Sequence, residues 1–265
     1  MAKSGQARVL TSKQRDHLFS QIQNHRHPEK NTAIMQISFK LALRVQEIAL
    51  LQIKEVARLG PERVNAPREF SIHDIMALPA AYTKGSNAVH AGKPTYKRNR
   101  VSFSVHDFDR LVLDITRKTL AGMVVEPQDY YPEVKQHKGQ SRDLPLIDEA
   151  LREALSSYLL LRLSKDLEAT PSSPLFVSQK GSAYSPNGLQ EHMALMLRVW
   201  SGIEKASSHS GRRSVLTNII HTQGKSIKTA QKIGGHKSPS TTIIYGEPPE
   251  EEISQALLAI GLPAK

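Results

Sequence analysis

Apolar residues recur at helical spacing from the start of the chain. In "LTSKQRDHLFSQIQ", Leu18, Phe19 and Ile22 share a face, and Thr11 with Gln14 three residues on forms a capping box that opens the helix. The next stretch, "NTAIMQISFKLALRVQEIALLQIKEV", sets Ile34, Ile37, Leu41, Val45 and Ile48 on one stripe and predicts a long helix with that face buried. Between 57 and 132 the pattern changes: "FSIHDI" and "RVSFSV" alternate as strands do, "FDRLVLDITRKTL" is helical, and "AAYTKGSNAVHAGKPTYKRNR" between them is a loop. "EVKQHKGQSRDLPL" predicts a tight hairpin that turns at Gly139 and ends at Pro145. After it come the helix "IDEALREALSSYLLLRLSKDL", a short strand "PLFVS" and the helix "SPNGLQEHMALMLRVWSGI". The tally is an α+β chain, mainly α-helical, with a small antiparallel sheet or hairpin.

Polar residues that interrupt these faces carry the chemical signal. Arg44 lies on the stripe of the long helix, where burying a guanidinium is costly unless its charge is matched. Glu47, one turn on, can take some of its five donors; an anion from outside the chain could take the rest. Farther along, Ser207 or Ser208 can cap a helix running to about Thr222 and stopped by Gly224, with His209 and Arg212 on one partly buried face near its N-terminus. An anion suits that place. Ser226 caps a second helix, "IKTAQKI", which ends at Gly234 and Gly235 with His236 directly after; Ser238 and Pro239 open a third, which delivers Tyr245.

The 265 residues hold 36 Lys and Arg against 25 Asp and Glu, a formal charge of +11, which favours a polyanionic partner. From Ile75 to His106 there is no acidic residue, while Lys84, Lys93, Lys97, Arg98 and Arg100 supply five positive charges, so this loop could follow a phosphate backbone. The chain has no cysteine, which removes disulfides, thiol nucleophiles and zinc-thiolate sites. His25 and His27 in "NHRHPEK" have no clustered carboxylates beside them and read as a solvated turn, so no metal site is expected. No segment is long and apolar enough for a membrane span, and a cytoplasmic setting is expected.

In order, spacing and wording, "ALRVQE" with Arg44, "HSGR" with His209 and Arg212, "GGH" with His236, and Tyr245 nine residues later resemble the tyrosine recombinase (phage integrase) family. The resemblance covers residues 10 to about 56 and 133 to 260 and implies that family's catalytic-domain fold over 1–265, as a single domain. Residues 57–132 then form an enlarged insertion with its basic loop at 81–101. The family's usual amino-terminal core-binding domain is not found, and an accessory protein could supply the missing clamp.

The resemblance further implies a site-specific recombinase or integrase that cleaves and rejoins double-stranded DNA through a 3′-phosphotyrosyl intermediate, without cofactor or metal. Tyr245 would be the nucleophile. Arg44 and Arg212 would grip the scissile phosphate, His209 would take or return the phenol proton, and His236 would donate to a non-bridging oxygen. The general-acid lysine is assigned to Lys138, ahead of Lys135, Lys84 and Lys93, because the elements after Lys138 follow the family's order. Glu47 would support Arg44, and Arg213 and Lys237, beside the two motifs, join the basic loop as DNA contacts. The tail 246–265, with Ile253, Ala256, Leu257 and Ile260 on one stripe, would form a helix that docks on its own domain or on a neighbouring protomer, within a tetramer on two duplexes assembled from a monomeric or weakly self-associating chain. A bacterial, nucleoid-associated protein is expected. The alternatives are a type IB topoisomerase-like DNA-relaxing enzyme, which shares this chemistry, and a non-catalytic DNA-binding regulator on the same fold.

Overall fold

The computed structural model describes residues 7–82, 105–126, 141–246 and 258. The chain divides into two compact units, residues 1–84 with 139–265 and residues 85–138, so the stretch 57–132 is shared between them. In the smaller unit the described residues form one long helix and a short tail; Val105, expected to end a strand, instead opens the helix, and its Phe108, Val112 and Leu113 are exposed.

In the larger unit α1 (Ser12–Gln23) begins at the Thr11–Gln14 capping box, both of whose hydrogen bonds are made. Helix α2 (Pro28–Leu41) is buried on nearly all sides, as its apolar composition requires: Ile34, Met35 and Ile37 are fully enclosed. The continuous helix expected over 31–56 does not form. Ala42 takes a left-handed conformation (φ 53°) and ends α2, Arg44 is extended, and the chain restarts as α3 (Val45–Leu50) and α4 (Ile53–Val56). The apolar stripe survives the break because both halves face the same core, which is why periodicity alone did not show it.

Two small antiparallel sheets follow. Strand β1 (Ala57–Leu59) pairs with β2 (Phe70–Ile72), and β3 (Ile75–Leu78) pairs with β4 (Arg142–Pro145), with Met76 opposite Leu144 and Leu78 opposite Arg142. "FSIHDI" is thus parts of two strands with different partners. The second strand of the expected hairpin is β4; its first strand and Gly139 lie outside the described residues. In the smaller unit's helix, α5 (Val105–Leu120), the helical reading of "FDRLVLDITRKTL" holds.

Helix α6 (Glu149–Lys165), capped by Asp148, packs on α2. "PLFVS" is not a strand: Pro174 has no amide to donate, and the segment is held by isolated bridges, Gln52 to Pro174 and Val177 to Ala183, and by single hydrogen bonds such as that from the Leu175 amide to the Leu51 carbonyl. Helix α7 (Pro186–Ala194) continues as a π-helical turn over Leu195–Trp200, where Trp200 stacks on His25 at 3.9 Å between ring centroids, so His25 is a packed residue, not a solvated one. Helix α8 (Ser210–Thr217), with a π-helical end at Asn218–Thr222, crosses α2 at Gly211, where an added Cβ would fall 2.2 Å from Ser38 Oγ. Helices α9 (Ile227–Gly234) and α10 (Pro239–Ile243) start at Ser226 and Ser238, as their side chains predict. Ala42, Leu216, Ile219 and Ala230 make a second small core, and Tyr245 packs against it. Ile253, Ala256, Leu257 and Ile260 of the tail stripe lie outside the described residues.

Candidate active site

The site gathers where α2 breaks. Arg44 holds the N-terminal cap position of α3 and is pinned by Glu47, whose Oε2 accepts the Arg44 amide at 2.8 Å and whose Oε1 accepts Nη1 at 2.9 Å. Glu47 is fully buried. It also receives a guanidinium that sequence reasoning missed: Arg142 on β4 donates Nη2 to Oε2 at 2.7 Å and Nη1 to Oε1 at 3.3 Å and to the Gly234 carbonyl at 3.3 Å. The available signal was strand alternation, which puts Arg142 on the same inward face as Leu144. Its place depends on Gly235: at φ 59° that residue ends α9, and a Cβ there would lie 2.1 Å from Arg142 Nη1.

Arg212, on α8, is buried and spans the break. Nη1 donates to the Ala42 carbonyl at 2.5 Å, and Nη2 to the Gly234 carbonyl at 2.5 Å and to His236 Nε2 at 2.6 Å. Ala42's left-handed turn therefore does local work, since its carbonyl serves Arg212 rather than a continued helix. Burial, then repulsion from Arg44, brings the guanidinium down to about 10, while Glu47 and the Tyr245 phenol, near enough to hydrogen-bond, act in the opposite direction. It stays charged at neutral pH.

A guanidinium can only donate, so His236 Nε2 accepts, and the imidazole proton sits on Nδ1, which donates to Thr242 Oγ1 at 2.8 Å. Burial, then Arg212, Arg44 and Arg142, lowers His236 to about 3, so the ring is neutral. Both nitrogens are engaged. The expected donation from His236 to a phosphate oxygen would require Arg212 to release Nε2 and the ring proton to move there. The Tyr245 ring stacks on His236 with centroids 5.5 Å apart and planes 13° from parallel, and is half-buried.

His209 occupies the cap position of α8, which had been expected of Ser207 or Ser208. Its side chain is exposed, so the shared face is buried only at Arg212, and its amide donates to Ser207 Oγ. Arg213 is half-buried and Lys237 exposed. Lys138, Lys135, Lys84, Lys93, Lys97, Arg98 and Arg100 lie outside the described residues. Among the described residues no three metal-ligating side chains cluster, and no helix is long and apolar enough to cross a membrane.

Chemically, Arg44 and Arg142 pair with Glu47, whose charge also acts on Arg212 nearby, so three guanidinium groups face one carboxylate. Arg44 is about one-fifth exposed, and its Nε and Nη2 have no hydrogen-bond partner among the described residues. A partly open guanidinium on Arg44, in a cluster of surplus positive charge whose Arg212 lies near the Tyr245 phenol, is suited to receive an oxyanion.

The backbone matches the crystal structure of XerA recombinase with a TM-score of 0.59 over all of this chain and 67% of that one, at 18% identity. It matches the Tn1549 transposon integrase in complex with transposon right end DNA with a TM-score of 0.58 over 98% and 68%, at 13% identity. The fold is therefore that of a tyrosine recombinase catalytic domain. Residues 123–252 match the phage integrase family. Over 108 residues the chain is 32% identical to tyrosine recombinase XerC of Methylobacterium sp. (strain 4-46), covering 41% of this chain and 32% of that protein; over 133 residues it is 28% identical to XerC of Rhizobium meliloti (strain 1021), covering 50% and 39%. The chain thus has the fold of a tyrosine recombinase catalytic domain and resembles the phage integrase family over just under half of its length, and it spans about a third of the length of the curated relatives it matches.

Proposed function

We propose that this domain is a site-specific DNA strand transferase that cleaves and rejoins duplex DNA through a 3′-phosphotyrosyl link. The observation that carries this reading is a cluster with surplus guanidinium charge that reaches Tyr245 through Arg212: three arginines, one carboxylate, and open donors on Arg44. In the proposed step, Tyr245 Oη bonds to the scissile phosphorus as the bond from phosphorus to the 5′-oxygen breaks. His209 takes the phenol proton, and Lys138 protonates the leaving oxygen. Arg44 and Arg212 hold the non-bridging oxygens, where charge develops, and remain protonated throughout. Glu47 fixes Arg44 from behind. Because the phosphodiester energy is kept in the tyrosyl link, rejoining needs no nucleotide or metal.

Double-stranded DNA is the proposed substrate, with Lys237, Arg213 and the basic loop along its backbone and four protomers on two duplexes during exchange. Incubation with a nicked suicide duplex carrying the flanking sequence of its own gene tests the reading. A covalent adduct resistant to denaturation is expected from the wild-type chain, and none from Tyr245→Phe, with duplex affinity of the variant within about threefold of wild type. An adduct that persists in Tyr245→Phe would assign the nucleophile elsewhere.

A further inference from the structure

At the opposite end of α2 from the catalytic cluster lies a cavity of about 500 Å³. Helix α2 starts beside it and ends at Ala42, so 14 residues separate the two sites by about 20 Å. Arg26, His27 and Lys30 line it from the start of α2, and Arg162, Lys165 and Asp166 from the end of α6. Four permanent cations thus meet a single carboxylate.

Lys30 is the unusual member. Only 6% of it is exposed, its Nζ donates to the Val177 carbonyl at 3.1 Å and sits 5.4 Å from the centre of the Tyr184 ring, and it has no ion-pair partner among the described residues. Two of its three N–H donors are left over. A buried ammonium without a counterion is costly; burial and then Lys165 hold Lys30 below the ordinary lysine range. Arg162 is also buried, at 7% exposure. It spends Nη1 on Asp166 at 2.6 Å, and its Nε has no partner. His27, at the cap position of α2, makes no side-chain capping bond, so the positive end of that helix adds to the same field. Lys30 is enclosed in a concave site, whereas a duplex backbone is usually met by protruding side chains.

We propose that this cavity is a binding site for a small multivalent phosphate anion, pyrophosphate to nucleotide in size, separate from the catalytic cluster. Lys30 and Arg162 form its floor, and Arg26 and Lys165 its rim.

The test is calorimetry on the full chain with inorganic pyrophosphate and, separately, ATP at low salt. The paired variant Arg26→Glu with Lys165→Glu changes two exposed positions and leaves the core alone; Lys30→Met removes the floor cation. Saturable anion binding is expected that weakens about tenfold or more in the paired variant and, provided its circular dichroism is native, in Lys30→Met, whatever the arginine cluster itself binds. Absence of binding, or equal binding by wild type and the paired variant, overturns the proposal, the second because the anion would then sit elsewhere. A short duplex that displaces pyrophosphate from the wild-type chain also overturns it, by assigning these cations to the DNA backbone. None of these results depends on covalent adduct formation, so failure here leaves the proposed strand transfer to be judged on its own test.

Discussion

His236 shows how far a side chain's behaviour depends on its neighbours. In the sequence it is an imidazole after two glycines, with an ordinary value of 6.5; in the fold burial, and then three guanidinium groups, bring it to about 3. The folded state therefore refuses a proton that the unfolded chain accepts, and the stability this contributes is complete above about pH 6.5 and declines as the pH falls toward 3. At pH 5 the loss from this one imidazole amounts to about 2 kcal/mol. Urea unfolding at pH 7 and pH 5 should show it, with His236→Gln losing less than wild type by about that amount; parallel losses in the two proteins would mean that His236 titrates normally. Arg44 and Glu47 were recognisable as a pair from spacing alone. Arg142, the third member, was not, because 95 residues separate it from Glu47 and only the pairing of β4 with β3 brings it in.

Among the elements, the break between α2 and α3 is the departure with consequences. Helical periodicity through Ile34, Ile37, Leu41, Val45 and Ile48 is real, and Ile34, Ile37 and Ile48 are wholly buried. Yet the helix stops at Ala42 because the carbonyl it frees is taken by Arg212 from a helix 170 residues away. A local pattern cannot register a hydrogen bond offered from that distance. The packing of α8 on α2 that positions Arg212 relies on Gly211, whose hypothetical Cβ would fall 2.9 Å from Ser38 Cβ and 3.0 Å from its carbonyl carbon. Gly211→Ala should therefore destabilise the domain by about 1–3 kcal/mol through overpacking, and Ser38→Ala should restore only part of it, since the backbone contact remains. Thermal unfolding of the single and double variants checks this; full rescue would mean that the hydroxyl alone sets the spacing. Caps behaved differently: Thr11, Ser226 and Ser238 open α1, α9 and α10 as read, because a cap is made with residues two or three positions away.

For the molecule as a whole, the charge of +11 is the property most open to measurement. If Lys93, Lys97, Arg98 and Arg100 each neutralise a phosphate, replacing all four by Ala should flatten the plot of log binding constant against log salt by about 3 to 4. Fluorescence anisotropy on a duplex at several salt concentrations reads the slope directly, and an unchanged slope would place the loop away from DNA.

By itself the sequence determined the helical class, most helix starts, the charge that favours a polyanion, and the identity and order of Arg44, His209, Arg212, His236 and Tyr245, because each of these is written in spacing of a few residues or in composition. Only the tertiary structure decided that α2 ends at Ala42, that Arg142 joins Glu47, that His236 is neutral with its proton on Nδ1, and that Lys30 lies buried without a counterion. Those properties come from groups brought together across tens to hundreds of residues, where burial and summed charge, rather than local pattern, set the energies.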